Sequence, residues 1–255
     1  MSVTIKSQRE IDLMREAGSL LAIVHQEMGE IIKPGISTKK INDYGEKLIK
    51  KFGCVPSFLN YQGYPASICI SVNSEVVHGI PSDNVILREG DIVSLDAGLI
   101  YKGYHADSAR THGVGSISDE AQRVMDVAKQ SFFEGLKYAV EGNHLNDICS
   151  AIGKYAQEHK CGVVKELVGH GIGTELHEAP QIPNYSMNRR GIKLQRGMTL
   201  AIEPMLACGC PDVKWMSDGW TVKTKDDSLS AHYENTVLIT DGEPEILTLF
   251  REGNQ

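Results

Sequence analysis

The chain begins with apolar residues that recur at helical spacing after Ser7 and Glu10. These two residues fit a capping box, in which each side chain pairs with a backbone N–H at the start of a helix. The apolar positions are Ile11, Met14, Gly18, Leu21, Val24, Met28 and Ile31. We therefore predict a first helix over residues 8–32, which ends before Pro34 because proline interrupts helices.

A second apolar stripe begins at Ser37 or Thr38, either of which can serve as the N-cap. The stripe consists of Ile41, Tyr44, Leu48 and Phe52. We predict a second helix that runs to about Lys51, followed by strand-like and turn-rich segments up to residue 115.

The same order of elements recurs in the second part of the chain. A third helix is predicted after Ser118, a break follows at Glu141-Gly142, and a fourth helix leads back to strands. The apolar positions are Ala121, Val124, Ala128, Phe132 and Leu136 in the third helix, and Leu145, Ile148, Ile152 and Tyr155 in the fourth.

Four pairs of residues match at a constant offset of 107 positions along the chain. The pairs are Gly35/Gly142, Ile41/Ile148, Gly90/Gly197 and Asp96/Glu203. This pattern favours an internal duplication, with halves at about residues 8–115 and 118–250 that pack around pseudo-twofold-related strands. Since no Pro-, Gly- or Ser-rich linker separates the halves, we predict one α+β domain over residues 1–255.

Composition and charge argue against nucleic-acid-binding, membrane and disulfide-bonded classes of protein. The 255 residues carry a net charge of -7, which argues against sequence-independent nucleic-acid binding. We find neither a signal peptide nor an apolar stretch long enough to cross a bilayer, and thus expect a cytoplasmic protein with no membrane partner. The six cysteines show no framework spacing, which favours reduced thiols, and the Cys208-Gly-Cys210 pair is best interpreted as an ordinary turn.

Asp96 and Glu203 each follow a run typical of a buried strand, where an ionised carboxylate is costly unless it is paired or binds a metal. The segment between Asp96 and Asp107 is predicted to form a hairpin. A turn centred on Tyr101-Lys102 would place Asp96 directly opposite Asp107, and a divalent cation would relieve their repulsion. The alternative is an acid solvated at the edge of a sheet.

Three more residues extend this set. Glu203 duplicates Asp96, Glu234 begins another predicted strand, and His170 lies between glycines, where a ligand can approach closely. Four carboxylates and one imidazole suit two divalent first-row ions such as Mn, Fe, Co or Zn, in an arrangement that activates a hydrolytic nucleophile. Considered alone, a histidine such as His170 in a Gly-rich stretch is more often a solvated turn residue than a ligand.

Several segments of the chain closely resemble type I methionine aminopeptidases, from about residue 5 to residue 250. The segments are SVNSEVVHGIP, SLDAGLIYKGYHADSART, GHGIG, LHEAPQIPNY, LAIEPM and DGWTVKTKDDSLSAHYENTVLIT. The resemblance implies a pita-bread fold, with two α/β halves around a central antiparallel sheet. It also implies removal of the N-terminal methionine from new proteins and peptides, with a preference for a small second residue.

The resemblance assigns roles to the predicted ligands. Asp96 and Asp107 would bind one metal ion, Asp107 and Glu234 would bridge to a second, and His170 and Glu203 would complete the second site. The nucleophile would be a water activated by both ions. By the same resemblance, Glu203 would shuttle a proton, His78 would contact the scissile amide, and His177 would stabilise the carbonyl oxygen. Considered without this resemblance, a lone histidine such as His78 or His177 is more often a structural residue whose hydrogen bonds are satisfied than a catalytic one.

A methionine pocket is also implied, with aromatic walls suited to a thioether. The matching positions are Tyr61, Tyr64, Cys69 and Trp220, with His78 and His177 beside them. Phe58 also belongs to this pocket, at a position where cysteine is frequent in bacterial relatives, and Leu176 stands where phenylalanine is frequent. Asn73 and Ser230 match positions of a monovalent-cation site in some relatives.

Two other functions remain open from the sequence. Proline-directed (Xaa-Pro) peptidases share the fold and the metal ligands, but usually carry a large N-terminal domain. A metal-free binding module of the same fold is the third candidate, although such proteins typically lose ligands. We expect a monomer, and contact with the ribosome would suit the implied activity although no basic patch predicts it.

Overall fold

A computed structural model of the protein describes residues 3–250. It contains four α-helices and a short 3₁₀ helix in this range. The α-helices are α1 (Gln8–Glu30), α2 (Thr38–Lys51), α3 (Asp119–Leu136) and α4 (Leu145–Glu158), and the 3₁₀ helix is Tyr61–Gly63. All four predicted helices are confirmed, although α1 ends two residues earlier than expected.

The helix starts depend on the predicted caps. The Glu10 carboxylate accepts hydrogen bonds from the Ser7 backbone N–H and hydroxyl. Ser37 accepts from the Lys40 N–H, and Ser118 does the same for α3. Each cap satisfies backbone donors that have no partner in the first helical turn.

Fifteen strands lie between residues 55 and 246. They are β1 (Val55–Pro56), β2 (Ile68–Val72), β3 (Glu75–Val77), β4 (Ile92–Tyr101), β5 (Tyr104–Gly113), β6 (Gly162–Val163), β7 (Gly169–Gly171), β8 (Glu178–Ile182), β9 (Thr199–Ile202), β10 (Met205–Ala207), β11 (Val213–Trp215), β12 (Val222–Thr224), β13 (Ser230–His232), β14 (Glu234–Leu238) and β15 (Glu245–Ile246).

The strands form three antiparallel sheets. The main sheet has the order β1-β4-β5-β14-β9-β7-β8, with β2 also paired to β4 and β15 to β14. Two small sheets, β13-β10-β6 and β11-β12-β3, pack beside it. Strands β5 and β14, one from each half of the chain, meet at the centre of the main sheet through the Ala109–Glu234 pair.

The predicted register of the β4–β5 hairpin is wrong by two residues. Lys102 and Gly103, with φ of 47° and 88°, form the turn, so Tyr101 pairs with Tyr104. Two consecutive residues with positive φ give a two-residue loop that matches the twist of the strands. Asp107 therefore faces Gly98, and Asp96 faces Ala109. The two carboxylates remain on the same face of the sheet as diagonal neighbours.

Two of the four apolar clusters within residues 3–250 divide along the sequence, and the other two contain residues from both halves. One cluster consists of buried residues between Ala17 and Val114, and the other consists of Ile92 together with residues between Ala121 and Ile239. Helices α1 and α2 cover the first cluster, and α3 and α4 cover the second. This division supports the proposal of two similar halves.

The repeat-related glycines share a backbone conformation. Gly35 and Gly142 have φ of 90° and 94°, and Gly90 and Gly197 have φ of 90° and 87°. Positive φ strongly favours glycine, which explains why the residue recurs at each of these turns. The halves differ after the repeated strand: β4 and β5 are joined by two residues, whereas Glu203–Tyr233 separates β9 from β14 and contains β10 to β13.

No helix within residues 3–250 has the length and apolar character needed to cross a membrane.

Replacing Gly18 by alanine tests the packing of α1 against the C-terminal segment. A Cβ atom at this position would lie 2.3 Å from the Leu247 carbonyl oxygen, so backbone must move. We expect Gly18→Ala to lower the free energy of unfolding by about 1–3 kcal/mol in urea denaturation. Gly242→Ala is the control, because nothing lies within 4 Å of the added atom. A Gly18→Ala protein as stable as the wild type would contradict this packing.

Candidate metal centre and substrate cavity

Five consecutive strands of the main sheet each contribute one predicted metal ligand. In the order β4, β5, β14, β9 and β7, the residues are Asp96, Asp107, Glu234, Glu203 and His170, with Glu203 directly after the end of β9. Side chains on one face of neighbouring strands lie close together, so residues far apart in the sequence meet here. Asp96 lies within its strand and not at the strand end that the sequence suggests.

The donor atoms form a compact group. The His170 Nε2 atom lies 3.6 Å from Glu203 Oε1 and 3.9 Å from Asp107 Oδ2. Donors of Asp107, His170 and Glu234 all lie within 4.8 Å of one another, and so do donors of Asp96, Glu234 and His232. Both groups include Glu234, so they adjoin.

Hydrogen bonds fix the backbone beneath these side chains. The Thr236 hydroxyl accepts from the Asp107 N–H at 3.1 Å and donates to the Asp107 carbonyl at 2.9 Å. The Asn184 amide donates to the Glu203 carbonyl, and the Arg110 guanidinium donates to the Glu234 carbonyl. The backbone of three of the five predicted ligands is thus held by residues that do not line the substrate cavity.

The carboxylates lie in an environment that disfavours negative charge. Burial, and then the neighbouring Asp107 carboxylate, raises the pKa of Asp96, Glu203 and Glu234 above the ordinary range. Burial likewise raises the pKa of Asp107. All four shifts reflect lost solvation, and those of Asp96, Glu203 and Glu234 also reflect repulsion, so a cation at this position would oppose both effects.

The His170 imidazole is oriented by its own backbone. Its Nδ1 atom lies 2.9 Å from the Gly171 carbonyl oxygen, and a carbonyl can only accept, so Nδ1 carries the hydrogen. The Nε2 lone pair then points toward the carboxylates, in the form that binds a metal ion.

A cavity of about 160 Å³ adjoins the carboxylates. All seven predicted substrate-binding residues line it, and so do all five predicted metal ligands. The substrate-binding residues are Phe58, Tyr61, Tyr64, Cys69, His78, His177 and Trp220. Four of the aromatic residues, which belong to one apolar cluster, are here called the aromatic wall: Phe58, Tyr61, Tyr64 and Trp220.

Several contacts order the aromatic wall. The Tyr64 hydroxyl donates to the Gly79 carbonyl at 2.8 Å, and the Tyr64 and Trp220 rings meet edge to face at 5.2 Å. The Tyr61 hydroxyl lies 2.8 Å from His177 Nδ1. His78 has a φ of 59°, which is uncommon for a residue with a side chain, and burial lowers its pKa to about 4.

The predicted monovalent-cation residues are neighbours outside this cavity. The Ser230 N–H donates to the Asn73 carbonyl at 2.9 Å. The side-chain oxygen of Asn73 accepts from the Ile92 N–H, and the Ser230 hydroxyl donates to the Leu206 carbonyl. A cation site at this point stays a prediction.

Two residues close to the site were missed from the sequence. Gln62 lines the cavity, in the 3₁₀ turn between the two tyrosines. His232 is buried beside Glu203 and Glu234, at 3.9 Å and 3.6 Å from their carboxylates. The alternation of side chains along an extended segment could have indicated His232, since it lies two positions before Glu234.

Known proteins resemble this chain over almost its entire length. Residues 12–241 match metallopeptidase family M24. The methionine aminopeptidase of Clostridium acetobutylicum is 50% identical over 247 residues, which cover 97% of this chain and 99% of that relative. The crystal structure of methionine aminopeptidase from Rickettsia prowazekii has a TM-score of 0.95 at 38% identity, and covers 97% of this chain and 100% of that one.

A weaker likeness extends to the structure of an Xaa-Pro dipeptidase from Bacillus anthracis. It has a TM-score of 0.74 at 24% identity, and the match covers 96% of this chain and 63% of that one. Such a level of identity shows a common fold only. The central antiparallel sheet and these structural matches confirm the expected pita-bread fold. The chain belongs to metallopeptidase family M24.

Proposed function

We propose that the protein is a methionine aminopeptidase, which removes N-terminal methionine from peptides and new proteins with small second residues. The observation that carries this proposal is the cavity itself, in which five candidate metal ligands face an aromatic wall. Relatives named methionine aminopeptidase at 40–50% identity over nearly the whole chain support it.

The residues present fit a divalent cation. Three buried carboxylate oxygens, Asp96 Oδ1, Asp107 Oδ1 and Glu234 Oε1, have no hydrogen-bond partner among residues 3–250. Unpaired buried acids of this kind are expensive unless a cation balances them. Hard oxygen donors with one imidazole suit Mn, Fe, Co or Zn. When bound, such ions lower the pKa of a water molecule and polarise a carbonyl group.

We assign the ligands to two ions. Asp96 and Asp107 would hold the first, Asp107 and Glu234 would be shared, and His170 and Glu203 would complete the second. The short distances from His170 to Asp107 and Glu203 support the second group. The position of Glu234 within both clusters of donors supports its shared role.

The chain's own residues then handle the substrate and its protons. The Glu203 carboxylate would accept a proton from the nucleophile and deliver it to the leaving amine. His177 would donate from Nε2 to the scissile carbonyl oxygen, a tautomer that the Tyr61 hydroxyl favours by donating to Nδ1. His78 would contact the scissile amide from the edge of the Trp220 ring.

The aromatic wall suits an unbranched thioether. Tyr61, Tyr64 and Trp220 would provide dispersion and sulfur–aromatic contacts for methionine. Burial raises the pKa of the Cys69 thiol, which keeps it neutral and apolar in character. Phe58 and Leu176 also line the cavity, whose volume of about 160 Å³ supports selection for a compact substrate.

The alternatives receive less support. Xaa-Pro peptidases share only the fold at this level of identity, and this chain spans about two thirds of their length. A metal-free binding module would not need the acids, whose burial and mutual repulsion destabilise the fold.

Further expectations concern the setting of the reaction. All six cysteines are free thiols, which supports the proposed cytoplasmic location. N-terminal peptides are the proposed partners, and contact with the ribosome and a monomeric state stay predictions.

A peptide panel tests the activity. After removal of metal and reloading with Fe, Mn, Co or Zn, we expect release of methionine from Met-Gly and Met-Ala peptides. Met-Leu peptides should react at least about tenfold more slowly, as expected of a restricted cavity. Chromatography of the free amino acid measures both. Preferential cleavage of Ala-Pro peptides would favour the Xaa-Pro alternative, and no turnover with any metal would refute the proposal.

The Asp107→Asn variant distinguishes the effect of this carboxylate on turnover from its effect on the stability of the metal-free protein. We expect turnover to fall by more than about 100-fold, the upper end for residues that merely support a ligand. The metal-free variant should be more stable than metal-free wild type at pH 7.5. A carboxyl with a raised folded pKa contributes stability below its unfolded pKa of about 3.9, and this stability is lost as pH rises through the folded pKa.

Urea denaturation with chelator at pH 4.5 and 7.5 measures this difference. The stability gap between the variant and the wild type should widen toward pH 7.5. A variant less stable than wild type at both pH values would mean that Asp107 mainly holds the fold together.

His78→Ala tests the contact with the scissile amide. We expect kcat to fall by about 10²–10³-fold, as for loss of one donor to the reacting group, with a smaller change in KM. His78→Asn is the control, since asparagine tolerates the positive φ of this position but lacks the imidazole. Full activity of the asparagine variant would assign the effect to the backbone instead.

A further inference from the structure

His232 is a buried histidine with an unused hydrogen-bonding capacity. It ends β13, its exposure is 1%, and neither ring nitrogen has a hydrogen-bond partner among residues 3–250. Buried polar groups are nearly always paired, and an unpaired one costs free energy. A histidine retained in such a position therefore calls for a function.

The carboxylate of Glu203 lies between two imidazoles. Its Oε1 atom is 3.6 Å from His170 Nε2, and its Oε2 atom is 3.9 Å from His232 Nε2. The two oxygens of one carboxylate thus face different histidines. His232 Nε2 also lies 3.6 Å from Glu234 Oε2.

The backbone of His232, which is paired with Met205 of β10, is also held by the Thr111 hydroxyl. The His232 N–H donates to Thr111 Oγ1 at 2.9 Å, and the same hydroxyl lies 2.9 Å from the His232 carbonyl, to which it donates. Thr111 belongs to β5, the strand that carries Asp107. The backbone that carries the imidazole is therefore attached to the same sheet that carries the metal ligands.

The neighbours of Nε2 determine which nitrogen carries the hydrogen. Both nearby groups are carboxylates, which a bound cation would keep ionised, and an ionised carboxylate only accepts hydrogen bonds. Nε2 is therefore the donor. The distances from Nε2 to these carboxylates, 3.9 Å and 3.6 Å, are longer than a hydrogen bond, and contacts of this kind often tighten when substrate binds.

We propose that His232 is a positioning residue, which donates from Nε2 to Glu203 Oε2 and fixes the rotation of that carboxylate. Oε1 is then kept toward His170, where both would hold the same cation. Partners of this kind orient metal ligands and commonly change metal affinity or activity by about 10–100-fold when removed. The inference rests on the proposed function for its effect on turnover, but not for its effect on metal binding.

Three substitutions separate hydrogen bonding from packing. His232→Gln keeps a donor where the amide nitrogen can reach the position of Nε2, whereas the shorter His232→Asn places its amide near Nδ1. His232→Leu keeps volume and apolar character without a donor. A packing role would be preserved by leucine, and a positioning role by glutamine.

We expect the leucine and asparagine variants to lose about 10–100-fold in kcat with KM nearly unchanged, and glutamine to restore most of the loss. Calorimetric titration with Co²⁺ should show weaker binding in the leucine and asparagine variants only. The visible absorption of the Co²⁺-loaded proteins should change in the same two, since this absorption reports ligand geometry. Circular dichroism checks that each variant is folded.

The outcomes are distinct. Unchanged kcat, affinity and spectrum in His232→Leu would overturn the inference. Loss of one bound Co²⁺ per chain in both the leucine and the glutamine variants would also overturn it, because His232 would then be a ligand. If wild type releases no methionine, the proposed function fails, while Co²⁺ affinity and absorption still decide whether His232 orients Glu203.

Discussion

The repulsion between buried carboxylates is the constraint that the rest of this structure has to withstand. Four acids lie on adjoining strands, and burial makes their charge expensive before any mutual repulsion is counted. A fold selected only for stability would fill these positions with apolar residues. The main sheet instead tolerates the strain by surrounding the acids with well-packed strands and large apolar clusters. What destabilises the metal-free protein is therefore the same feature that gives the site its affinity for a cation.

The acids repel one another, so they stay close together only if their backbone is held in place. The Thr236 hydroxyl, the Asn184 amide and the Arg110 guanidinium each bind the backbone of a ligand residue, so the strands hold the carboxylates in place from behind. The side chains themselves have few direct partners, which leaves their oxygens available. A preorganised set of donors of this type loses little conformational freedom when an ion binds. Histidine 170 is oriented in the same way, by a carbonyl group of its own strand.

The sequence predicted most of what depends on local signals. The caps at Ser7, Ser37 and Ser118 fixed three helix starts, because a cap acts within one turn. The cavity was predicted through resemblance, and every residue expected to line it does so. The hairpin register was not predictable from spacing alone, since one shift of the turn to Lys102-Gly103 moves every pair by two. Only the alternation of side chains before Glu234 points to His232, and nothing local marks its approach to Glu203, which follows a different strand.

The apolar cluster made only of first-half residues has a consequence for how the chain acquires its chemistry during synthesis. The first cluster is made entirely from residues up to Val114, so its apolar packing can begin while the second half is still being translated. That first half carries only Asp96 and Asp107 of the five ligands. The remaining three arrive with the second half and join the others across the β5–β14 pair. A growing chain therefore lacks the complete set of five ligands until Glu234 has been made, and chemistry that needs all five must wait for that residue.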